Sequence, residues 1–448
     1  MKRRIQVFGV VAILALIVVA CGDSTPTTTT SAPDTIGGPP ITPSGPLSQY
    51  GESDQASQDL IARALGPVTP SEADSWNIIL ASVARAHQEL NEATINKAIE
   101  CWTNLECSTG SGGTLIMGYA DGGGREVNVW RAVSRMEAIL QALTYPDIGT
   151  IVTREANFAH AFPPYSPETP IGDIRYLVDR GADFIVGYPD AGTALSDVIK
   201  EAAAEGVPYF PFSAGWVGLP DQDNALIPGT DYPTVVGEDL CALGTSFAET
   251  LNETVAAGGK VALLGGSTNN ALTLGWQRCI STELDSGLDL VNRPPDRDNT
   301  VGDTFWYYEV IPGVINGILT DDRPINGWAY EYADGFVYGL PEFEAFQLPW
   351  ENVTLALRTD EQRMFCHWRD ANEPTYKIFY SAGGNFQSRI AVTAAMLHNQ
   401  GATIPAELVV PHVMRQVTAA DCDENRAHDE VSGTALVPDA VLRRMWPQ

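Results

Sequence analysis

Two kinds of pattern alternate along most of this chain. Short unbroken apolar runs, such as 115–117 and 184–186, predict buried strands. Between such runs, apolar residues recur every three or four positions, as they do from Val129 through Val133 and Met136, and this spacing predicts amphipathic helices. Buried strands that alternate with amphipathic helices are typical of a parallel sheet covered by helices on both faces. The pattern therefore predicts an α/β fold.

The alternation of strands and helices occurs in two series. We assign 114–213 with 384–410 to a first lobe, and 222–380 with 411–448 to a second lobe. Each lobe is predicted to be a doubly wound parallel sheet. Interruptions of the two series predict crossover segments near 212–221, 381–385 and 411–417. Ligands of such open sheets bind beyond the carboxyl ends of the strands, so the candidate site lies there.

The chain before Thr114 has a different character. Within 49–113, the helical spacing of Trp76, Ile79 and Val83 predicts an extra N-terminal helical segment, whose role the sequence does not indicate. Residues 21–48 are rich in Thr, Pro and Gly and have almost nothing apolar to bury. They are predicted to form a disordered linker.

The first residues carry a targeting signal. Basic residues at 2–4 precede an apolar run over 7–20 and then Cys21, which is the pattern of a secretory signal peptide at 1–20. The letters VVAC at its end resemble a bacterial lipobox, which implies cleavage before Cys21 and lipidation of its thiol. The alternative is an uncleaved membrane anchor with a chance cysteine. We expect an extracytoplasmic protein, anchored to the cell membrane as a lipoprotein.

The formal net charge of −29 limits the partners of the chain. So acidic a surface repels nucleic-acid phosphates and anionic lipid headgroups. We therefore expect no nucleic-acid partner, and a membrane link through the lipid anchor alone.

The cysteines indicate disulfides. Apart from Cys21 the chain has an even number, at Cys101, Cys107, Cys241, Cys279, Cys366 and Cys422. In an exported chain an even number predicts disulfide bonds, whose connectivity remains open. Cys101 and Cys107 are close in sequence and are the preferred pair. Cys241–Cys279 and Cys366–Cys422 are the expected partners among the rest. The cysteine spacing and scattered histidines give no zinc motif, so no metal is expected.

Four segments in a fixed order carry a resemblance to a known family. They are GADFIVGYPDAGTALSDVIKEAAAEGVPYFPF at 181–212, KVALLGGSTNN at 260–270, INGWAYEYADG at 325–335, and GNFQSRIAVTAAMLHNQGATIP at 384–405. Over about 114–425 the chain resembles the type I periplasmic sugar-binding proteins, the ribose-binding-like substrate receptors of ABC importers. The family often has an arginine after its Gly/Asn/Ser loop. Here that stretch reads ALTL at 271–274, which argues against a pentose bound in the usual way.

The resemblance implies a function. It predicts a solute-binding lipoprotein, not an enzyme, that captures a small polar solute, a carbohydrate above all, between two lobes. The protein would deliver this ligand to an ABC transporter permease. We expect a monomer with no cofactor.

Candidate ligand-binding residues lie at the predicted strand ends. Their side chains can hold sugar hydroxyls by hydrogen bonds or stack on C–H faces. In the first lobe they are Asp121, Asn128, Trp130, Arg131, Glu155, Asp190, Ser213 and Trp216. In the second lobe they are Asn269, Asn270, Trp276, Tyr330, Glu331 and Asp334, and near a crossover they are Asn385 and Gln387.

Two of these candidates match the resemblance best. Asp190 and Asp334 each follow a predicted strand, and we expect them to face each other across the cleft and to accept hydrogen bonds from one uncharged, hydroxyl-rich ligand. The alternative for Asp and Asn at such positions is helix N-capping. Trp130 could equally belong to the core.

Other functions remain open from the sequence. An exported carbohydrate-active hydrolase with paired carboxylates is one alternative, because the spatial pairing of Asp and Glu cannot be read from sequence. A ligand sensor for a signalling receptor is another. The glycines at 122–124 are not followed by a phosphate-loop motif, and no G-x-S-x-G nucleophile motif is present.

Overall fold

The structure is a computed structural model. It describes residues 73–86, 90–122, 124–125, 127–155, 168–213, 215–267, 270–292, 302–347, 352–371, 376–410 and 413–447. The signal peptide, Cys21, the linker and the first part of the helical segment lie outside these residues, so the expectations for them stay predictions. Within the described ranges, none of the helices has the length and apolar character needed to cross a membrane.

The elements alternate along the chain as the pattern predicts. The strands are β1 Glu106–Ser108, β2 Leu115–Asp121, β3 Ile148–Glu155, β4 Phe184–Tyr188, β5 Tyr209–Ser213, β6 Val235–Gly237, β7 Lys260–Leu264, β8 Asp289–Leu290, β9 Gly327–Tyr330, β10 Thr354–Leu357, β11 Lys377–Tyr380, β12 Glu407–Val409 and β13 Arg415–Gln416. The helices are α1 Ala73–Ala86, α2 Glu92–Thr103, α3 Val129–Ala142, α4 Glu168–Asp179, α5 Ser196–Ala204, α6 Leu240–Thr254, α7 Ala271–Glu283, α8 Ile311–Asp322, α9 Ala333–Ala345, α10 Gln362–Asp370, α11 Gln387–Asn399 and α12 Asp439–Met445.

The first lobe is built on a seven-stranded sheet in the order β1-β3-β2-β4-β5-β6-β12. Only the edge pair β1–β3 is antiparallel among its described pairings. Helices α1, α3 and α11 pack together on one face, and α4 and α5 cover the other. Because both faces are covered, central strands such as β4 and β5 are buried along their whole length.

The second lobe has a six-stranded sheet in the order β13-β11-β10-β9-β7-β8. The pairs among β7 to β11 are parallel, and β13 is antiparallel to β11. Helices α6 and α7 pack against each other, as do α8 and α9. The prediction of two α/β lobes with mostly parallel sheets is confirmed.

Side-chain caps begin several of these helices. Asn128 accepts a hydrogen bond from the backbone N–H of Arg131 at the start of α3, and Asp239 accepts one from Ala242 at the start of α6. Such caps satisfy backbone donors that the first helical turn leaves without partners. They fix where each helix begins and so place the residues of its first turn.

One lobe boundary differs from the prediction. Strand β6 pairs with β5 and β12 in the first sheet, although it lies within 222–380. The chain therefore leaves the first lobe after Gly237 and not near 212–221. With three residues, β6 is too short to stand out in the hydrophobic pattern. The other sheet changes lie between β11 and α11 and between β12 and β13.

Both ends of the described chain pack on the first lobe. The helical segment before Thr114 contributes β1 to the first sheet, and its α1 and α2 pack against α11 and α3. Helix α12 packs on α2, and the rings of Trp446 and Trp102 meet edge to face at 6.1 Å. The last part of 411–448 therefore belongs with the first lobe, because the chain returns across the molecule after β13.

The structure contains the three expected disulfides. Cys101 is bonded to Cys107, Cys241 to Cys279, and Cys366 to Cys422. The first joins the end of α2 to β1, the second joins α6 to α7, and the third ties α10 to the segment after β13. Each bond therefore lies within one lobe or its attached segment.

Candidate functional site

A narrow cavity lies where the carboxyl ends of strands from both sheets meet. Its described lining residues are Asn128, Trp130, Arg131, Tyr188, Ser213, Leu272, Trp306, Glu331, Tyr332, Arg358 and Thr359. The space open to the centre of a water molecule is about 20 Å³, little more than a single water requires. A ligand of more than a few atoms therefore requires the lining residues to move apart.

Arg131 is the cation on the first-lobe side of the cavity. Its Nη1 and Nη2 donate to the two carboxylate oxygens of Asp190 at 2.8 and 2.7 Å, and Nη1 also donates to Asp121. The coulombic attraction of these carboxylates opposes burial and raises the pKa of Arg131 well above its usual value. This bidentate pairing fixes the plane of the guanidinium group. Asp190 and Asp121 therefore hold Arg131 in position.

Arg358 is the cation on the second-lobe side, directly after β10. It donates to both carboxylate oxygens of Glu238, from Nε at 2.6 Å and from Nη2 at 3.0 Å. Nη2 also donates to the Ser213 hydroxyl at 3.0 Å, and Ser213 adopts a left-handed backbone with φ of 65°. Because Ser213 ends a first-lobe strand, these bonds join the two lobes inside the site.

The described charged groups around the cavity carry no unpaired positive charge that would attract an anionic ligand. Arg131 faces two carboxylates, Arg358 faces Glu238, and Glu331 lies in the lining as well. An added carboxylate or phosphate would meet more negative than positive charge within the site. The arrangement therefore favours an uncharged ligand that uses hydrogen bonds.

A buried carboxylate holds Trp306 in the cavity wall. Glu331, which follows β9, accepts hydrogen bonds from the Trp306 indole N–H at 2.7 Å, the Thr273 hydroxyl at 2.6 Å, the Gly266 amide at 2.8 Å and the Trp276 indole N–H. Burial raises the pKa of Glu331. The Trp306 ring also lies against Gly266, where an added Cβ would come within 1.9 Å of it. Trp306 is thus a fixed aromatic wall.

Aromatic rings form much of the remaining wall. Trp130 is stacked on Phe212 at 6.4 Å and meets Tyr188 edge to face at 5.7 Å. Tyr188 also meets Trp306 from the other lobe at 6.0 Å. Rings arranged in this way offer apolar faces beside hydrogen-bonding groups, which suits the C–H faces and hydroxyls of a sugar.

The start of α3 makes further contacts with the second lobe. Asn128 Nδ2 donates to the Trp306 carbonyl at 3.1 Å, and the Val129 amide donates to the Tyr308 hydroxyl at 3.3 Å. These bonds connect residues 306–308 to the first turn of a first-lobe helix. They add to the contacts of Arg358 in holding the lobes closed.

Asp334 belongs to a separate buried cluster in the second lobe. Arg363 Nε and Nη2 donate to its two carboxylate oxygens, each at 2.9 Å. Burial raises the pKa of Asp334 to about 7, and burial with the nearby charge of Asp334 raises the pKa of Glu361 to about 8. Asp190 and Asp334 thus have separate arginine partners, in place of the single shared ligand that the sequence analysis expected.

Solved structures share this architecture. The periplasmic binding protein component of the arabinose ABC transporter from Shewanella sp. ANA-3 gives a TM-score of 0.52 at 14% identity, covering 67% of this chain and 91% of that chain. An ABC transporter solute-binding protein from Actinobacillus succinogenes with bound D-allose gives 0.52 at 16%, covering 68% and 98%. The fructose-binding periplasmic domain of a hybrid two-component system gives 0.54 at 14%, covering 67% and 90%. The chain has the type I periplasmic binding protein fold.

The comparisons with sequences add nothing to this. No protein-family model matches the chain, and no curated protein matches it significantly. The periplasmic binding protein fold itself is as the sequence resemblance predicted.

Five of the predicted residues line the cavity between the two lobes of this periplasmic binding protein fold. They are Asn128, Trp130, Arg131, Ser213 and Glu331.

Several other predicted residues do not line the cavity but make hydrogen bonds to lining residues or to the partners of lining residues. Asp121 and Asp190 hold Arg131, Trp276 donates to Glu331, and Gln387 donates to Glu238 at 2.7 Å. Asn385 Nδ2 donates to the Trp130 carbonyl at 2.7 Å.

The remaining predicted residues serve elsewhere. The Tyr330 hydroxyl pairs with that of Thr304, Asn270 caps α7, and Glu155 pairs with Arg135. Trp216 lines a separate groove of about 250 Å³ beside β6 and β12. Asn269 lies outside the described residues.

Sequence reasoning missed six of the lining residues, namely Tyr188, Leu272, Trp306, Tyr332, Arg358 and Thr359. Tyr188 ends β4, and Arg358 and Thr359 follow β10, so the strand-end rule that selected Asp190 could have found them. Trp306 lies in a stretch without strand or helix periodicity before α8, and no sequence signal points to it.

The site offers hydrogen bonds and apolar faces. Within the ranges that the structure covers, no group of three or more His, Cys, Asp or Glu could hold a metal ion.

Proposed function

We propose that this chain is an extracytoplasmic solute-binding lipoprotein that captures a small uncharged carbohydrate between its lobes and delivers it to an ABC importer. The observation that carries the proposal is the narrow cavity at the strand ends of both sheets. Its arginines are neutralised by carboxylates, and its walls are aromatic. The sugar-binding neighbours with the same fold support the choice of ligand class.

The ligand contacts that we propose come from both lobes. Asn128, Arg131, Ser213 and Arg358 would hold hydroxyl groups, because they carry polar atoms in the lining. Trp130, Tyr188 and Trp306 would pack against the C–H faces. A ligand held by both sets favours the closed state, since only closure brings the two sets together.

The proposed tether and assembly rest on the sequence alone. We propose that residues 1–20 are removed as a signal peptide, that Cys21 carries the lipid anchor, and that residues 21–48 form a linker. The mature protein would be monomeric and would bind no nucleic acid. Mass spectrometry of membrane-extracted protein tests the anchor, since an intact Met1 would contradict it.

Two alternatives are distinguished by experiment. A sensor role is supported by the fructose-binding domain of a hybrid two-component system, which has the same fold. Stimulation of a reconstituted permease ATPase by the ligand-loaded protein would favour transport over sensing. A hydrolase role has less support, because the lining carboxylate Glu331 already accepts four hydrogen bonds that hold the wall. Formation of hydrolysis products from oligosaccharides would support the hydrolase role instead.

A thermal-shift screen tests the ligand class. A ligand that binds only the folded protein stabilises it by about 2.7 kcal/mol at 100 times its Kd. We expect one or more neutral sugars, with L-arabinose, D-allose and D-fructose among those tried, to raise the melting temperature. Sugar acids and sugar phosphates should have no effect. A response confined to amino acids or to anions would overturn the proposal.

A further inference from the structure

A segment near the C-terminus crosses between the lobes. We name residues 431–437 the C-terminal strap. The strap begins on the second lobe, where the Gln362 amide donates to the Val431 carbonyl at 3.2 Å. It ends just before α12, which packs on α2 of the first lobe.

The strap is held to the second lobe by a buried carboxylate. Asp360 accepts hydrogen bonds from the Thr434 amide at 3.0 Å, the Thr434 hydroxyl at 3.1 Å and the Ser432 hydroxyl. Asp360 is 4% exposed. Gly433 passes so close to Gln362 that an added Cβ would lie 2.6 Å from its side-chain nitrogen. This end of the strap is therefore anchored through both its backbone and its side chains.

A second buried carboxylate holds the strap to the first lobe. Glu137 of α3 accepts hydrogen bonds at Oε1 from the amides of Leu436 at 2.5 Å and Val437 at 3.0 Å. Its other oxygen accepts a hydrogen bond from Arg389 Nε, in the first turn of α11. Glu137 is fully buried. This anchor therefore adjoins the crossover that leads from β11 into α11.

The two anchors are separated by a single residue. Thr434 is bound to one lobe and Leu436 to the other, so only Ala435 lies between them. Two residues of extended chain span at most about 7 Å. At the three crossovers, two residues lie between β6 and α6, six between β11 and α11, and five between β12 and β13. The strap is thus as short between its anchors as the crossover from β11 to α11, where Ser381 is bonded to the second lobe and the Gly383 carbonyl accepts from Trp130 of the first.

We propose that the C-terminal strap is a fourth interlobe connection that fixes the axis of opening and limits its amplitude. With so little chain between its anchors, the lobes can rotate about Ala435 but cannot slide apart there. A tether that restricts the open state reduces the number of open conformations. The loss of conformational entropy on closure is therefore smaller. Its effect on ligand affinity rests on the proposed function, whereas its effect on opening does not.

Lengthening the strap tests the proposal. Insertion of Gly-Ser-Gly-Ser between Ala435 and Leu436 keeps both anchors and adds slack. The matched control carries the same insertion after Gly401, a turn residue with open space around its Cα and no role in crossing between lobes. Small-angle X-ray scattering of the full-length mature protein without sugar measures the opening directly.

We expect the lengthened strap to increase the radius of gyration of the ligand-free protein above that of the wild type and of the control. With a sugar identified by the thermal-shift screen, affinity should fall by about two- to tenfold, because the closed state becomes less populated. Scattering curves identical for all three proteins would overturn the proposal. A change in scattering with no sugar bound by any variant would leave the strap in place and refute the carbohydrate function instead.

A second variant covers the case in which the insertion does not fold. Asp360→Asn keeps the shape of the second-lobe anchor but cannot accept all three of its hydrogen bonds, since one oxygen becomes an NH₂ donor. It should also enlarge the ligand-free protein, by less than the insertion. Unchanged scattering of a folded Asp360→Asn protein would count against the strap.

Discussion

Replacement of Arg358 by Met removes the ionic link between the lobes inside the site. Arg358 and Glu238 are 3% and 0% exposed at their side chains, and the pair makes two hydrogen bonds at 2.6 and 3.0 Å. A third bond joins Arg358 to Ser213 at 3.0 Å. Met keeps most of the apolar stem, so the change mainly removes these bonds and the charge.

The size of the effect follows from the burial of the pair. Loss of one partner from a buried ion pair costs roughly 3–5 kcal/mol, because the other charge is left without compensation. When the lobes open, water can reach Glu238, so part of this cost falls on the closed state alone. Charge-assisted hydrogen bonds contribute about 1.5–3 kcal/mol each. If the closed state loses the equivalent of one such bond, sugar affinity falls by about ten- to a hundredfold.

Calorimetry with the sugar found by the thermal-shift screen measures this loss. Arg175→Met is the matched control, because Arg175 is 57% exposed and pairs with Glu201 on the surface of one lobe. We expect the control to bind like the wild type. The double variant with Glu238→Gln should recover stability but not affinity, since it removes the orphaned charge without restoring the link. Arg358→Met with wild-type affinity would refute the role of this pair in closure.

Three other variants test neighbouring groups. Trp306→Ala should weaken sugar binding by about tenfold with little change in folding, and calorimetry at equal affinity would show that the ring is not a ligand wall. Asp190→Ala should weaken binding by about tenfold or more, because it leaves Arg131 held by Asp121 without the bidentate pairing, and a crystal structure with Arg131 unmoved but affinity lost would assign the effect to Asp190 itself. For Glu361, whose pKa burial raises to about 8, the folded state holds a proton that the unfolded state releases above its ordinary pKa. Its contribution to stability is present below about pH 4.5 and falls as pH rises towards 8; urea unfolding of Glu361→Gln should show a weaker decline over that range, and parallel pH profiles would contradict this.

Element types could be predicted from sequence because burial on both faces leaves a strong signal. Strands β4 and β5 are buried along their whole length and consist mostly of apolar residues, and the apolar stripe of α3 is regular, so both patterns are local. Strand β6 escaped prediction because three residues carry almost no periodicity. Its place in the first sheet depends on pairing with β12, more than 160 residues later, which no local pattern encodes.

The position of the candidate site could be predicted from sequence, but the hydrogen-bond partners of its residues could not. The strand-end rule pointed to the correct edge of each sheet, and it selected Arg131 and Ser213. This rule could not show that the Asp190 carboxylate already accepts hydrogen bonds from Arg131, because the two residues are 59 positions apart in the sequence. Trp306 could not be identified either, since Glu331 and Gly266 place it through tertiary contacts alone.

The bonds that close this site are made mainly within the protein. Arg358 reaches Glu238 and Ser213, Asn128 reaches the Trp306 carbonyl, and the aromatic rings of the two lobes touch directly. These contacts therefore supply part of the free energy of closure, and the ligand need supply only the remaining difference between the open and closed states. The affinity for the proposed ligand then depends on the interlobe bonds and the proposed C-terminal strap as well as on the cavity lining. Variants that alter only these connections should change affinity without changing the order of preference among sugars.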